Sequence, residues 1–170
     1  VLRCAPGPRV AYDLVVPGRL APAKRRPVPG GAVRPYLDEG HPSGMWAAAY
    51  SIARFRAAAG VRDLIQLDAS PALADRSFVP EISSQLEAPY LAFASGRQRT
   101  RAEIARGLAK SAAGDSLGDQ AYTVLTRLAS DADARVRINA IHSLATYGPR
   151  SKPIVAAATR DPDANVRIAA

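Results

Sequence analysis

The densest run of residues able to do chemistry is basic. Arg97, Arg99, Arg101, Arg106 and Lys110 lie close together. On a helix, Arg97, Arg101 and, less neatly, Lys110 share a face, as a stripe gripping a phosphate backbone would require. The second group is acidic and comes in two matched pairs, Asp131 with Asp133 and Asp161 with Asp163. Paired carboxylates can serve acid–base catalysis, or they can cap the free amides that open a helix. Both pairs stand immediately before a Val-Arg-containing helical pattern, so capping is the expected role. His41 and His142 lie far apart, with no cysteine or second histidine near either, which leaves no zinc-ligand spacing. His142 borders a core stripe and reads as a boundary residue rather than a base. The single cysteine, Cys4, allows no internal disulfide and gives no sign of compartment, cytoplasm or cell envelope. Nucleophile elbows, phosphate-binding glycine loops and dinucleotide fingerprints do not occur. The sequence therefore calls for no metal, no cofactor and no catalytic residue, and predicts a protein that is not an enzyme.

The elements that must position these groups are helical. Nearly half the residues are apolar (48%), and only 6% are aromatic. Alanine supplies much of the apolar mass; it favours helix and lets helices approach closely. Residues 1–42 read differently, as an irregular arm rich in proline and glycine, with one short candidate strand from Val10 to Val16. The periodicity starts at residue 43. Met45 to Phe55 is expected to be a helix, with Ser43 as N-cap and Gly60 as stop. Trp46 and Tyr50 on it are expected to be core residues. Val61 to Leu67 predicts a short helix broken by Ser70-Pro71. A further helix is expected from Pro80 to about Ala94, kinked at Pro89 and ended by Gly96. Arg101 to Ala113 places Ile104, Ala105, Leu108 and Ala112 on one stripe. Leu117, Ala121, Val124, Leu125 and Leu128 form the next, and Val136, Ala140, Ile141 and Leu144 another, stopped by Gly148-Pro149. A short helix from Ile154 to Thr159 and a last one from Ala164 complete the pattern.

A repeat ties these elements together. Asp131-Ala-Asp-Ala-Arg-Val-Arg-Ile-Asn-Ala140 and Asp161-Pro-Asp-Ala-Asn-Val-Arg-Ile-Ala-Ala170 agree at most positions and sit 30 residues apart. Each unit is a helical hairpin, and hairpins repeated at such a period stack into a solenoid. The expected fold is an all-α solenoid of stacked hairpins over 43–170, clearest over 97–170, preceded by the irregular arm.

The repeat resembles the short HEAT-like family first associated with phycobilisome lyases, whose hallmark is Asp-x-Asp-x-x-Val-Arg-x-x-Ala. Asp131, Asp133, Val136, Arg137 and Ala140 match it, as do Asp161, Asp163, Val166, Arg167 and Ala170. Arg101 with Leu108 lines up with Arg137 and Leu144 at an offset of 36, and Trp46 lines up in outline only. The resemblance implies structural roles: aspartates capping helices, valine and alanine facing the layer below, and arginines pairing with the aspartate of a neighbouring repeat in a ladder. It also implies a protein-interaction scaffold, since stacked hairpins expose an extended face. In this family such scaffolds are often joined to a catalytic domain, for example a peptidyl-prolyl isomerase or a lyase, but no motif of either is present. The start at Val1 and the stop within the first turns of a helix predict a fragment of a larger bacterial multidomain protein.

Net charge is +8, and residues 1–40 carry seven basic residues against three acidic ones. A basic balance favours anionic partners. Another protein is the expected partner, with a nucleic-acid backbone, held through Arg97, Arg101 and Lys110, as the alternative. No apolar run is long enough to span a bilayer.

Overall fold

The computed structural model describes residues 42–55, 60–76, 89–109 and 117–170. The arm, its candidate strand and Lys110 lie outside the described residues. Among those described there are seven α-helices: α1 (Pro42–Phe55), α2 (Val61–Asp68), α3 (Pro89–Gly107), α4 (Gly118–Leu128), α5 (Ala134–Ala145), α6 (Lys152–Ala158) and α7 (Ala164–Ala169). Short 3-10 turns at Pro71–Leu73 and Gly148–Ser151 complete the elements. They make an all-α stack of hairpins, the architecture the repeat predicts.

The apolar periodicity sets the layers. α1, α3, α5 and α7 pack side by side in sequence order and form a front layer. α2 and α4 pack against each other and against the backs of α3 and α5, while α6 packs behind α5. One continuous core fills the space between, from Met45 and Ile52 through Leu64, Ile104 and Leu108 to Leu125, Val136, Ile141 and Leu144, all buried. Alanines at the crossing points (Ala48, Ala49, Ala105, Ala121 and Ala140, each 0% exposed) let the backbones approach. Gly107 is the closest approach. A Cβ there would lie 2.4 Å from Leu64 Cδ1 and 3.2 Å from Ala53 Cβ, so the end of α3 is wedged between α1 and α2.

The helix ends follow local chemistry. Asp133 accepts the Arg135 amide at 2.7 Å, and Asp163 accepts those of Asn165 and Val166 at 2.8 and 3.3 Å. Both residues are extended N-caps. Ser70 caps the Pro71 turn by accepting the Ala72 amide. Gly148 ends the α5 segment with φ +69, a conformation glycine adopts without strain, and Pro149 follows.

The region around Gly96 departs from expectation. α3 is described from Pro89 onward, and the expected kink there depends on residues before it that lie outside the described ones. Gly96 does not stop the helix, which runs through it to Gly107. A buried glycine inside a helix costs about 1 kcal/mol, and the surrounding packing tolerates it here. The expected helices on either side of Gly96 are thus one helix, which ends at Gly107 and not at Ala113. The proposed start at Pro80 lies outside the described residues.

Candidate interaction surface

The repeats are joined by rungs of arginine and aspartate. Arg137 on α5 sends Nε to Asp161 Oδ2 at 2.9 Å and Nη2 to Asp161 Oδ1 at 2.8 Å. Its remaining nitrogen, Nη1, donates to the carbonyls of Asp131 and Ala132. Asp161 in turn accepts the Asp163 amide at 2.9 Å. One carboxylate therefore holds both the preceding repeat and its own turn. The hydrogen bonds from Arg137 hold Asp161 below the usual carboxylate range, and the same contact raises the Arg137 guanidinium. Burial pushes Asp133 upward, but the hydrogen bonds from Arg135 outweigh it and leave the group lowered.

The preceding rung repeats this geometry with deeper burial. Arg101 Nε meets Asp131 Oδ2 at 2.7 Å and Nη2 meets Oδ1 at 3.1 Å, with the side chains 1% and 0% exposed. Asp131 Oδ1 also accepts the Asp133 amide at 3.0 Å. Arg101 lacks an Asp-x-Asp turn of its own, because α3 is continuous there. Its Nη1 goes instead to the Asp75 carbonyl at 3.3 Å. Arg167 places Nη1 on the carbonyls of Asp161 and Pro162, as Arg137 does one repeat earlier.

A second charge cluster adjoins the first rung. Asp68, buried at the end of α2, pairs with Arg76 at 3.0 Å and with Arg127 of α4. Arg76 also lies 3.7 Å from Asp131. Arg76 thus links the buried carboxylates of two repeats. Nothing in the repeat motif marks Asp68, Arg76 or Arg127, since they belong to back-layer helix ends and a loop that vary in register.

Front-layer helices are also stitched directly. Asn139, Ser143 and Tyr147 lie at four-residue intervals on or just after α5. They donate to the carbonyls of Ala102, Ala105 and Leu108 at 2.9, 2.7 and 2.8 Å. The order of these pairs shows that α3 and α5 run parallel. Two of the acceptors lie in or beyond the last turn of α3, where carbonyls lack helical partners. Tyr147 also meets Tyr122 edge-on at 5.5 Å, and the Arg150 guanidinium sits 3.9 Å over the Tyr122 ring. Burial pushes the Tyr147 hydroxyl up to about 12, with Arg150 opposing.

Arg97 and Arg101 do not form one exposed stripe. Arg101 is buried on Asp131, Arg97 pairs with Asp75 at 3.1 Å, and Lys110 lies outside the described residues. Of the repeat-motif residues, Val136, Ala140 and Val166 are fully buried and the four aspartates sit in the turns before α5 and α7, whereas Ala170 is exposed beyond the end of α7. Trp46 and Tyr50 are only half-buried, with ring centres 5.6 Å apart, and Arg106 lies 5.3 Å over Tyr50. They stand on the outer edge of the core, not inside it. No group of three or more metal-ligating side chains occurs among the described residues, and no helix there is long and apolar enough to cross a membrane.

Residues 90–170 match the family model for HEAT repeats. This segment is a HEAT-repeat domain. No curated protein and no solved structure matches the chain. HEAT repeats generally act as protein-interaction scaffolds and are typically non-enzymatic. In this HEAT stack, the outer side of the front helices is exposed or half-buried. It presents Trp46, Tyr50 and Arg54 on α1, Arg99 and Arg106 on α3, Arg135, Ile138 and His142 on α5, and Asn165 and Ile168 on α7. Corresponding positions recur at the repeat spacing, so each helix adds one row to the same face.

Proposed function

We propose that this HEAT-repeat segment is a non-catalytic scaffold that holds another protein on the outer face of its stacked helices. The observation that carries the reading is the pair of rungs, Arg101–Asp131 and Arg137–Asp161. They lock successive helices into one register, so the rows of exposed side chains keep fixed positions relative to one another. A preorganised surface of this kind loses little conformational freedom on binding. The aspartates of both repeats are engaged in caps and rungs, where each carboxylate already has fixed donors.

Chemical cross-linking of the purified chain in a lysate of its source cells, followed by mass spectrometry, tests the proposal. A scaffold gives a reproducible partner cross-linked to front-face positions. Absence of any protein cross-link above that of a scrambled control overturns it. A second reading, binding of a nucleic-acid backbone, is favoured by one observation: among the described residues, the exposed ones of the front helices include several arginines and no carboxylate. It predicts an affinity for duplex DNA that falls steeply with salt.

A further inference from the structure

One hydroxyl stands apart among the described side chains. The exposed threonines Thr123, Thr126, Thr146 and Thr159 donate to backbone carbonyls three or four residues back. Ser51, Thr100, Ser143 and Ser151 are buried, and Ser70 holds the Ala72 amide. Ser130 is exposed in the turn after α4, and its hydroxyl is bonded to no other residue. The turn sets that hydroxyl over an arginine. Ser130 N donates to the Arg127 carbonyl at 3.1 Å, and Asp131 N to that of Leu128 at 3.1 Å. Side chains three apart are eclipsed when a helix closes in this tight form, so Ser130 and Arg127 lie on one side. Across the whole sequence, Thr100 and Ser130 are the two hydroxyl residues with a basic residue three positions before them, Arg97 and Arg127. Thr100 is 0% exposed and bonded to the Gly96 carbonyl. Ser130 alone of the two is accessible.

We propose that Ser130 is a phosphorylation site whose phosphate loosens the back layer by drawing Arg127 away from Asp68. The proposal does not depend on the scaffold reading. A kinase that selects a basic residue three positions before its acceptor reads Arg127. In the transfer, Ser130 Oγ attacks the terminal phosphorus of a nucleoside triphosphate held by the kinase. The Oγ–P bond forms as the bond from that phosphorus to the bridging oxygen breaks. The nucleoside diphosphate leaves, and the hydroxyl proton passes to the base of the kinase. Charge makes the product consequential. The Asp68 side chain is 0% exposed and is held by Arg76 and Arg127. Arg127 is the outer of the two, 52% exposed against 29% for Arg76. A phosphoserine carries nearly two negative charges and three acceptor oxygens, and a guanidinium grips such a group with two parallel bonds. With Arg127 on the phosphate, Asp68 keeps Arg76 alone among its described partners. The new dianion also adjoins Asp131, the carboxylate of the first rung, and repels it. Asp68 ends α2 and Arg127 lies on α4, so the junction of these two helices bears the loss. The Arg137–Asp161 rung shares no group with this cluster.

The test uses the folded full chain, a serine kinase that selects arginine at this spacing, and labelled ATP, with the modified residue located by mass spectrometry. Label is expected on Ser130, is expected to vanish in Ser130→Ala, and should reach Thr100 only after the chain is unfolded. Phosphorylation is expected to lower the urea midpoint and to speed amide hydrogen exchange in α2 at least about threefold, with α7 changed less than about twofold. Asp68→Asn leaves Arg127 no buried charge to abandon, so phosphorylation of that variant should not speed exchange in α2. Circular dichroism verifies its fold. If it does not fold, Arg127→Lys takes its place; a lysine still gives the kinase a cation but cannot grip the phosphate with two bonds, and the rise in α2 should shrink. No label on Ser130 of the folded chain, label on Thr100 ahead of it, or unchanged exchange in α2 after labelling overturns the proposal. A rise in the folded test variant equal to that of the unaltered chain overturns it as well.

Discussion

Arg101 and Asp131 face each other in the core as a two-bonded pair, 2.7 and 3.1 Å long, with almost no solvent on either side chain. Removing one partner leaves the other charge buried. Asp131→Ala is therefore expected to cost about 3–5 kcal/mol, measured as a lowered urea midpoint. Arg101→Lys should recover little of this, because an ammonium cannot span both oxygens. Joint replacement by Arg101→Met and Asp131→Leu should be far milder than either single change. A joint variant as unstable as the sum of the singles would show that the pair does not act as a unit.

The Arg137–Asp161 rung is the less buried version, with side chains 13% and 11% exposed. Asp161→Ala is expected to cost about 1.5–3 kcal/mol, less than Asp131→Ala. Thermal melts of the two variants, run side by side, check the order.

Acid should loosen the turns that carry the rungs. Asp161 and Asp133 both have folded-state values below their ordinary one. A lowered carboxylate contributes stability that is complete above its unfolded value near 4 and is lost as pH falls through the folded value. The melting temperature is thus expected to hold down to about pH 5 and then to fall steadily in acid. Asp161→Asn should melt lower at neutral pH and show a shallower acid decline. An unchanged slope in that variant would remove Asp161 from the linkage.

Two glycines give opposite expectations for the same change. Gly107→Ala drives a methyl into Leu64 and Ala53 and is expected to destabilise by about 1–3 kcal/mol. Gly118→Ala, in the first turn of α4 with nothing within 4 Å of its Cβ, is expected to be neutral or stabilising by a few tenths of a kcal/mol. Denaturant titrations distinguish them.

The stitching of α5 to α3 is accessible to simple deletions. Ser143→Ala leaves the Ala105 carbonyl unpaired in a buried site, and Tyr147→Phe frees the Leu108 carbonyl. Each is expected to cost about 1 kcal/mol. Amide hydrogen exchange in the last turn of α3 should rise more in these variants than in α7.

Much of this arrangement was legible in the residues, and the exceptions have physical causes. The stripes through Leu125, Val136 and Leu144 specify helices because their spacing has only one buried solution. The Asp-x-Asp turns were legible because capping chemistry is local. Gly96 misled because a glycine that ends a helix and a glycine within one look alike in sequence, and the difference lies in whether packing holds the chain helical beyond it. Arg101 looked like a surface cation because its partner is 30 residues away. Its alignment with Arg137 at an offset of 36 was the available signal, since equivalent positions in a stack take equivalent partners. Asp68, Arg76 and Arg127 gave no signal, because a charge cluster assembled from three separate segments has no period.

The row of Asn139, Ser143 and Tyr147 also decides how the stack meets a mechanical load. Tension along the α3 and α5 axes strains all three bonds at once, so they share the force and must break together. Tension across the axes strains them one at a time, as a zipper opens. This stack should therefore resist sliding of one helix past the next much more strongly than peeling, and optical-tweezer pulling along the two directions would report the difference as two distinct rupture forces.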